Sequence, residues 1–166
     1  MPMRASAGNW SPASSGWGLV HADSQLPMDP LSCVTDEKTI MTDWELQDFA
    51  VQITRDYIVE ELGGDLMSTN SNPEVDPSIW FAGNEGPEWV VVRAVRYPAN
   101  PAALPYNLSD IAKNCARLSD KGHFASLEVA NAENSFEHND VDNTLPLWRG
   151  HKLLVAFDGL VPAMTH

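Results

Sequence analysis

The fold is decided by residues 42–98, TDWELQDFAVQITRDYIVEELGGDLMSTNSNPEVDPSIWFAGNEGPEWVVVRAVRYP. An amphipathic pattern occupies the first part of this stretch, and three shorter apolar runs separated by turn residues follow it. Because helices and strands have different hydrophobic periods, this order predicts one helix and then three strands.

The predicted helix begins with a capping box. The hydroxyl of Thr42 can accept a hydrogen bond from the amide of Glu45, and the Glu45 carboxylate can reach back to the Thr42 amide. Asp43 also suits the positive end of a helix. Gly63-Gly64 predicts the end, because glycine supplies the positive φ of a C-cap. The apolar residues at helical spacing, which predict a stripe facing the core, are Leu46, Phe49, Ala50, Ile53 and Tyr57.

The three strands differ in strength. Leu66–Thr69 is a weak strand, and Ser78–Ala82 is a compact apolar one. Residues 83–87 predict a hairpin turn into the longest strand, Glu88–Tyr97. The run Trp89–Val92 is apolar without interruption, which is typical of a central strand that is covered on both faces.

The rest of the chain adds a helix and further strands. A second helix is predicted from Leu108 to Leu118, with Ile111, Cys115 and Leu118 on one face. The order α-β-β-β-α-β requires a crossover and predicts an α+β (α/β-like) fold with a mixed central sheet. The remaining predicted segments are a strand at His123–Ala130, an acidic loop at Asn131–Asn143, a last strand at Lys152–Phe157 and a closing turn at residues 159–162.

The first 38 residues form a separate segment. They are rich in Ser, Gly, Pro and Asp, which predicts a flexible or partly docked N-terminal segment before a single domain at residues 39–166. Within it, Trp17–Val20 could add an edge strand.

The net charge is the strongest compositional signal. The chain has 23 Asp and Glu against 10 Lys and Arg, which gives a net charge of −13. Such a field repels phosphate backbones, so nucleic acid is an unlikely partner and a basic protein is the expected one. The chain has no membrane-length apolar run and no secretion signal, so we expect a cytoplasmic protein that does not bind membranes. Two distant cysteines, Cys33 and Cys115, predict reduced thiols.

The element order over residues 42–130, with Asp76-Pro77 before the second strand, resembles the PD-(D/E)XK nuclease-like fold. The resemblance implies a restriction-endonuclease-like sheet and a Mg²⁺ or Mn²⁺ ion held by an acid before that strand and an acid-x-lysine motif on the third. Asp76 matches the first position. The third strand has Val91-Val92-Arg93 at the expected depth, with valine in place of the acid and arginine in place of the lysine. Glu88 begins this strand, and Glu60 or Glu61 on the helix could add a further acid.

Three functional hypotheses follow. The leading one is a non-enzymatic acidic binding protein, such as an immunity or inhibitor protein for a toxin nuclease, that needs no cofactor. Its expected partner-binding residues are Glu133, Glu137, Asp140 and Asp142. The alternative is a divergent metal-dependent nuclease, with Asp76 and Glu88 as metal ligands and Mg²⁺ or Mn²⁺ as cofactor. Its catalytic residues would be Asp76, Glu88, Glu60 and Arg93. The third is a structural protein that associates with itself through an apolar patch.

Overall fold

The computed structural model describes residues 3–6, 9–12, 24–25, 37–99, 101–134 and 144–163. The chain divides into two units, Met1–Lys38 and Thr39–His166, and each is described by itself. The edge strand predicted at Trp17–Val20 lies outside the described residues.

The N-terminal unit contains a pair of short antiparallel strands, β1 (Met3–Ser6) and β2 (Asn9–Pro12). Their register runs from Met3↔Pro12 to Ser6↔Asn9. Neither strand was predicted, because four-residue segments of this composition lack the apolar alternation that identifies a strand in a sequence.

The second unit is a mixed sheet with two helices. The sheet order is β3-β4-β5-β6-β7, and β8 also pairs with β6. The strands β5 and β6 are parallel, and the other pairs are antiparallel. The predicted α+β class, mixed sheet and α-β-β-β-α-β order are confirmed. The elements are α1 (Asp43–Glu60), β3 (Asp65–Thr69), β4 (Ile79–Gly83), β5 (Gly86–Arg96), α2 (Leu108–Cys115), β6 (Gly122–Asn131), β7 (Leu153–Ala156) and β8 (Val161–Pro162).

Both ends of α1 are formed as the sequence predicts. The Glu45 amide donates to Thr42 Oγ1 at 3.2 Å, and the Thr42 amide donates to Glu45 Oε2 at 2.8 Å. These bonds satisfy amides that have no partner inside the helix. Beyond the other end, Gly63 has a φ of 66°, a value that a residue with a Cβ adopts only with strain.

Strand β5 is the centre of the sheet. Trp89, Val90, Val91 and Val92 are all fully buried. Since side chains alternate along a strand, Val90 and Val92 pack into the cluster that contains the buried residues of α1, while Trp89 and Val91 pack into the cluster that contains those of α2. The two helices therefore cover opposite faces, as predicted from the uninterrupted apolar run.

The predictions for the end of α2 and for the closing turn are wrong. The helix α2 ends at Cys115 rather than at Leu118, and Leu118 is exposed. The Leu118 amide donates to the Cys115 carbonyl, a tight turn that rotates the leucine away from the helix face. The predicted closing turn instead contains β8, in which Val161 pairs with Phe124 of β6. A two-residue strand has no periodicity to detect.

Among the described residues, no helix is both long enough and apolar enough to cross a bilayer.

The contact between Gly122 and Trp89 makes a prediction about stability. A Cβ at position 122 would lie 2.0 Å from Trp89 Cζ2. We expect Gly122→Ala to lower the free energy of unfolding by about 1–3 kcal/mol, because the methyl group overpacks a filled core. Urea unfolding measures this change.

The control is the same glycine change made in a Trp89→Phe background, where the smaller ring leaves room for the methyl group. Gly122→Ala should cost clearly less there than in the wild type. An equal cost in both backgrounds would contradict the proposed clash.

Candidate functional site

The candidate site is the ion pair between Asp76 and Arg93. Arg93 Nη1 donates to Asp76 Oδ1 at 2.9 Å, and Arg93 Nη2 donates to Asp76 Oδ2 at 2.5 Å. The side chain of Asp76 is 9% exposed and that of Arg93 is 24% exposed. A two-point contact of this kind is both strong and directional, because the planar guanidinium matches the carboxylate geometry.

The register of β4 against β5 brings the two residues together. The pairing of these strands reaches Ile79↔Val90 at this end, and the segment before β4 continues alongside β5. Ser78 holds that segment against β5 through two hydrogen bonds. Its amide donates to the Val90 carbonyl at 2.9 Å, and its hydroxyl accepts from the Val92 amide at 3.2 Å. Asp76, two residues earlier, therefore lies beside Arg93.

A groove of about 490 Å³ runs between α1 and the last part of β5, and both Arg93 and Arg96 line it. Arg96 forms an ion pair with Asp43, which also lines the groove, and donates to the Met41 carbonyl at 2.8 Å. Gln47 donates to the Val92 carbonyl at 2.9 Å. Both guanidinium groups are thus held by carboxylates of this chain, which leaves them poorly suited to bind a phosphate.

The structure does not bring Asp76 and Glu88 together. Glu88 and Arg93 are five residues apart on β5, which corresponds to about 16 Å along an extended strand, and an odd separation places their side chains on opposite faces. Glu88 instead contacts His123, with 2.6 Å between Oε2 and Nε2. The metal-ligand pair of the nuclease hypothesis is therefore not assembled.

The other acids of that hypothesis lie apart from the pair. Glu60 is the last residue of α1 and is exposed, and Glu61 is exposed at its C-cap. Over the described ranges, no cluster of three or more His, Cys, Asp and Glu side chains could hold a metal ion. Magnesium favours a set of oxygen ligands, and a carboxylate that already has a two-point bond to arginine offers few free lone pairs.

His123 has a partner on one side of its ring only. Nε2 is held by Glu88, whereas Nδ1 is buried and has no hydrogen-bond partner among the described atoms. A histidine that acts as a general base needs a nucleophile within hydrogen-bond reach of its free nitrogen. Here that nitrogen faces no such group, so the pair does not form a nucleophile–base arrangement.

Cys115 is a buried thiol beside the candidate site. Burial raises its pKa to about 11, and the negative charge of Asp76 adds to the increase. The reactive form of cysteine is the thiolate, so a raised pKa makes this side chain inert near neutral pH. Cys115 belongs to the packing between α2 and the sheet.

The acids that the sequence predicts to bind a partner are only partly described. Glu133 is exposed, and its amide donates to Asn131 Oδ1. Glu137, Asp140 and Asp142 lie outside the described residues.

Residues 44–163 match the sequence pattern of a family described as Domain of unknown function (DUF8840). The chain belongs to this family. The match begins inside α1 and ends one residue after β8, so it covers the helices and the sheet of the second unit. No curated protein and no solved structure matches the chain.

The DUF8840 match includes both residues of the candidate site, and their ion pair makes a prediction about stability. Asp76→Ala leaves a partly buried guanidinium without its carboxylate. We expect the free energy of unfolding to fall by about 2–4 kcal/mol, mostly from the unpaired charge. Urea unfolding at neutral pH measures it.

The matched control is Asp56→Ala. Asp56 also pairs with an arginine, Arg55, but the side chains of Arg55 and Asp56 are 40% and 51% exposed. Solvent screens such pairs, so this change should stay within about 0.5 kcal/mol of the wild type. Equal losses for the two variants would contradict a structural role specific to Asp76.

Proposed function

We propose that this protein is a non-enzymatic acidic binding protein that neutralises a basic partner protein. A toxin nuclease is an example of such a partner. The observation that carries the proposal is the excess of carboxylates that remains after the internal ion pairs are formed. A cytoplasmic location is part of the same proposal.

The basic side chains of the protein are largely used internally. The chain has 10 Lys and Arg residues. In the part that the structure describes, six of them contact carboxylates of the same chain, namely Arg55, Arg93, Arg96, Lys113, Lys121 and Arg149. With 23 acids in the chain, most carboxylates have no basic side chain to pair with, so a strongly negative field surrounds the protein.

A field of this kind suits protein recognition more than nucleic-acid recognition. Complementary charge steers a basic partner toward the surface and raises the association rate, and it disfavours acidic competitors. The same field repels nucleic acid, because binding to a phosphate backbone requires basic side chains that replace its counterions. The two arginines that could have served this purpose, Arg93 and Arg96, are neutralised by Asp76 and Asp43.

The nuclease hypothesis has support from the fold but little from the chemistry. The α-β-β-β-α-β order, the parallel pairing of β5 with β6 and the helices on opposite faces agree with a restriction-endonuclease-like fold. Asp76 and Arg93 meet, as the corresponding motif residues would. Their contact is an ion pair, however, and Glu88 is held by His123. We therefore propose a related scaffold that has no metal-dependent chemistry.

Capture experiments test this function. The purified protein should retain basic proteins from an extract of the source organism. Raising the salt concentration from about 50 to about 500 mM should release them, because screening weakens charge attraction between surfaces. Retention of acidic proteins, or retention that salt does not change, would contradict the proposal.

Salt-sensitive hydrolysis of DNA or RNA that requires Mn²⁺ and disappears in Asp76→Ala would favour the nuclease instead.

Two sets of charge reversals locate the surface. The first set is Glu137→Lys, Asp140→Lys and Asp142→Lys, and the matched set is Glu74→Lys, Asp120→Lys and Asp158→Lys at exposed positions. Replacing one acid by lysine raises the net charge by two units, so the three replacements of each set raise it from −13 to −7. If the acidic loop predicted at Asn131–Asn143 binds the partner, the first set should weaken binding at least tenfold more than the second. Equal weakening would assign binding to the overall field.

A further inference from the structure

We propose that the outer edge of β3, together with the exposed apolar side chains at the end of α1, binds an extended basic segment of the partner as an additional strand. This inference rests on the proposed function, because it names where and how the basic partner is held.

The first observation is an open sheet edge. In the sheet order, β3 is terminal and pairs with β4. All five of its residues are exposed. An edge strand presents a row of backbone donors and acceptors, and proteins that do not use such an edge usually cover or block it. In the described residues nothing pairs with this edge, and no proline lies between Asp65 and Thr69.

The hydrogen bonds indicate which groups point outward. The Asn70 amide donates toward β4, to the Ser78 carbonyl at 2.7 Å. Because backbone groups alternate in direction along a strand, the amide of Thr69 points to the open side. A register shift between Leu66 and Ser68 marks a bulge, which bends the edge without closing it.

The second observation is that exposed apolar side chains occur both on β3 and near the end of α1, which we call the apolar patch. Leu66 lies opposite Phe81, whose ring is buried in the cluster under α1, so Leu66 lies on the face that α1 covers. Several large apolar side chains exposed on neighbouring elements are typical of a binding site. The patch consists of Val59 (46% exposed), Leu62 (45%), Leu66 (39%) and Met67 (51%).

The third observation is the charge around this edge, which selects the occupant. Between Arg55 and Arg93 the sequence has eight acids and no Lys, Arg or His. Four of these acids, Asp56, Asp76, Glu85 and Glu88, contact basic side chains elsewhere. The remaining acids, Glu60, Glu61, Asp65 and Glu74, are exposed and have no ion pair in the described structure, and the first three flank the apolar patch.

These charges favour a basic segment over a second copy of the chain. Each copy would bring a net charge of −13 to a symmetric pairing of two β3 edges, and the repulsion between the two copies costs free energy. An extended segment with alternating apolar and basic residues would add main-chain hydrogen bonds along β3. Its apolar side chains would cover Leu66 and Leu62, and its basic ones would face Glu61 and Asp65.

Three synthetic peptides of equal length test this inference. One alternates lysine and valine, the second is the same peptide interrupted by proline, and the third alternates glutamate and valine. We expect the lysine–valine peptide to bind at least tenfold more tightly than either of the others. Amide hydrogen exchange should slow at Thr69 on binding, because an outward amide gains a partner.

Two variants of the edge and one matched control complete the test. Thr69→Pro removes an outward N–H without removing a hydrogen bond to β4, and Met67→Lys adds a charge that repels a basic peptide. Each variant should bind the lysine–valine peptide at least tenfold more weakly than the wild type does. Leu118→Lys makes the same kind of change at an equally exposed residue beyond α2 and should have no effect. Circular dichroism confirms folding, and Met67→Lys keeps the test valid if Thr69→Pro unfolds.

The outcomes separate this inference from the proposed function. Equal binding of the lysine–valine and proline-interrupted peptides, unaffected by the β3 variants, would overturn strand addition and leave a basic-partner function in place. Equal binding of the lysine and glutamate peptides at β3 would overturn the basic occupant of this edge, whereas the proposed function is decided separately by the capture experiment. Dimers that the β3 variants dissociate, seen by light scattering, would assign the edge to a second copy and overturn the inference.

Discussion

The burial of β5 on both faces is the constraint on which the rest of the structure depends. A strand whose residues 89–92 are fully buried needs a helix on each side. The chain provides α1 before the sheet and α2 in the crossover between β5 and β6, and this crossover makes the two strands parallel. Trp89 fills the α2 side so completely that only glycine fits at position 122 of the neighbouring strand. The positions of Asp76, Glu88 and Arg93 follow from this strand and its neighbours.

The same constraint determines the partners of the acids named in the nuclease hypothesis. β4 pairs with the first half of β5. The segment that precedes β4 therefore runs alongside the second half of β5, where Asp76 lies beside Arg93. The arginine neutralises the carboxylate and shields it from a cation. Glu88, at the other end of β5 and on the opposite face, has His123 as its partner. The charges that a catalytic site would use are satisfied inside the fold, and the excess acids remain at the surface.

The sequence predicts the parts of this fold that depend on local patterns. The capping box identifies the start of α1, and the apolar run identifies β5 as a two-sided central strand. The Asp76–Arg93 contact was not predicted, since 17 residues separate the two and their meeting depends on strand register. The Glu88–His123 contact depends in the same way on the parallel register of β5 and β6. The open edge of β3 was missed because a sequence does not show which strand lies at the end of a sheet.

The most direct test of the account is a Mn²⁺ titration of isotope-labelled protein followed by nuclear magnetic resonance. Bound Mn²⁺ broadens the amide signals of nearby residues, so it reports a site whether or not any activity is present. If Asp76 is an ion-pair partner of Arg93, its neighbours should show no saturable broadening beyond that seen around the exposed acids. Saturable broadening centred on residues 76 and 93, which Mg²⁺ relieves by competition and Asp76→Ala abolishes, would contradict the account and indicate a metal centre.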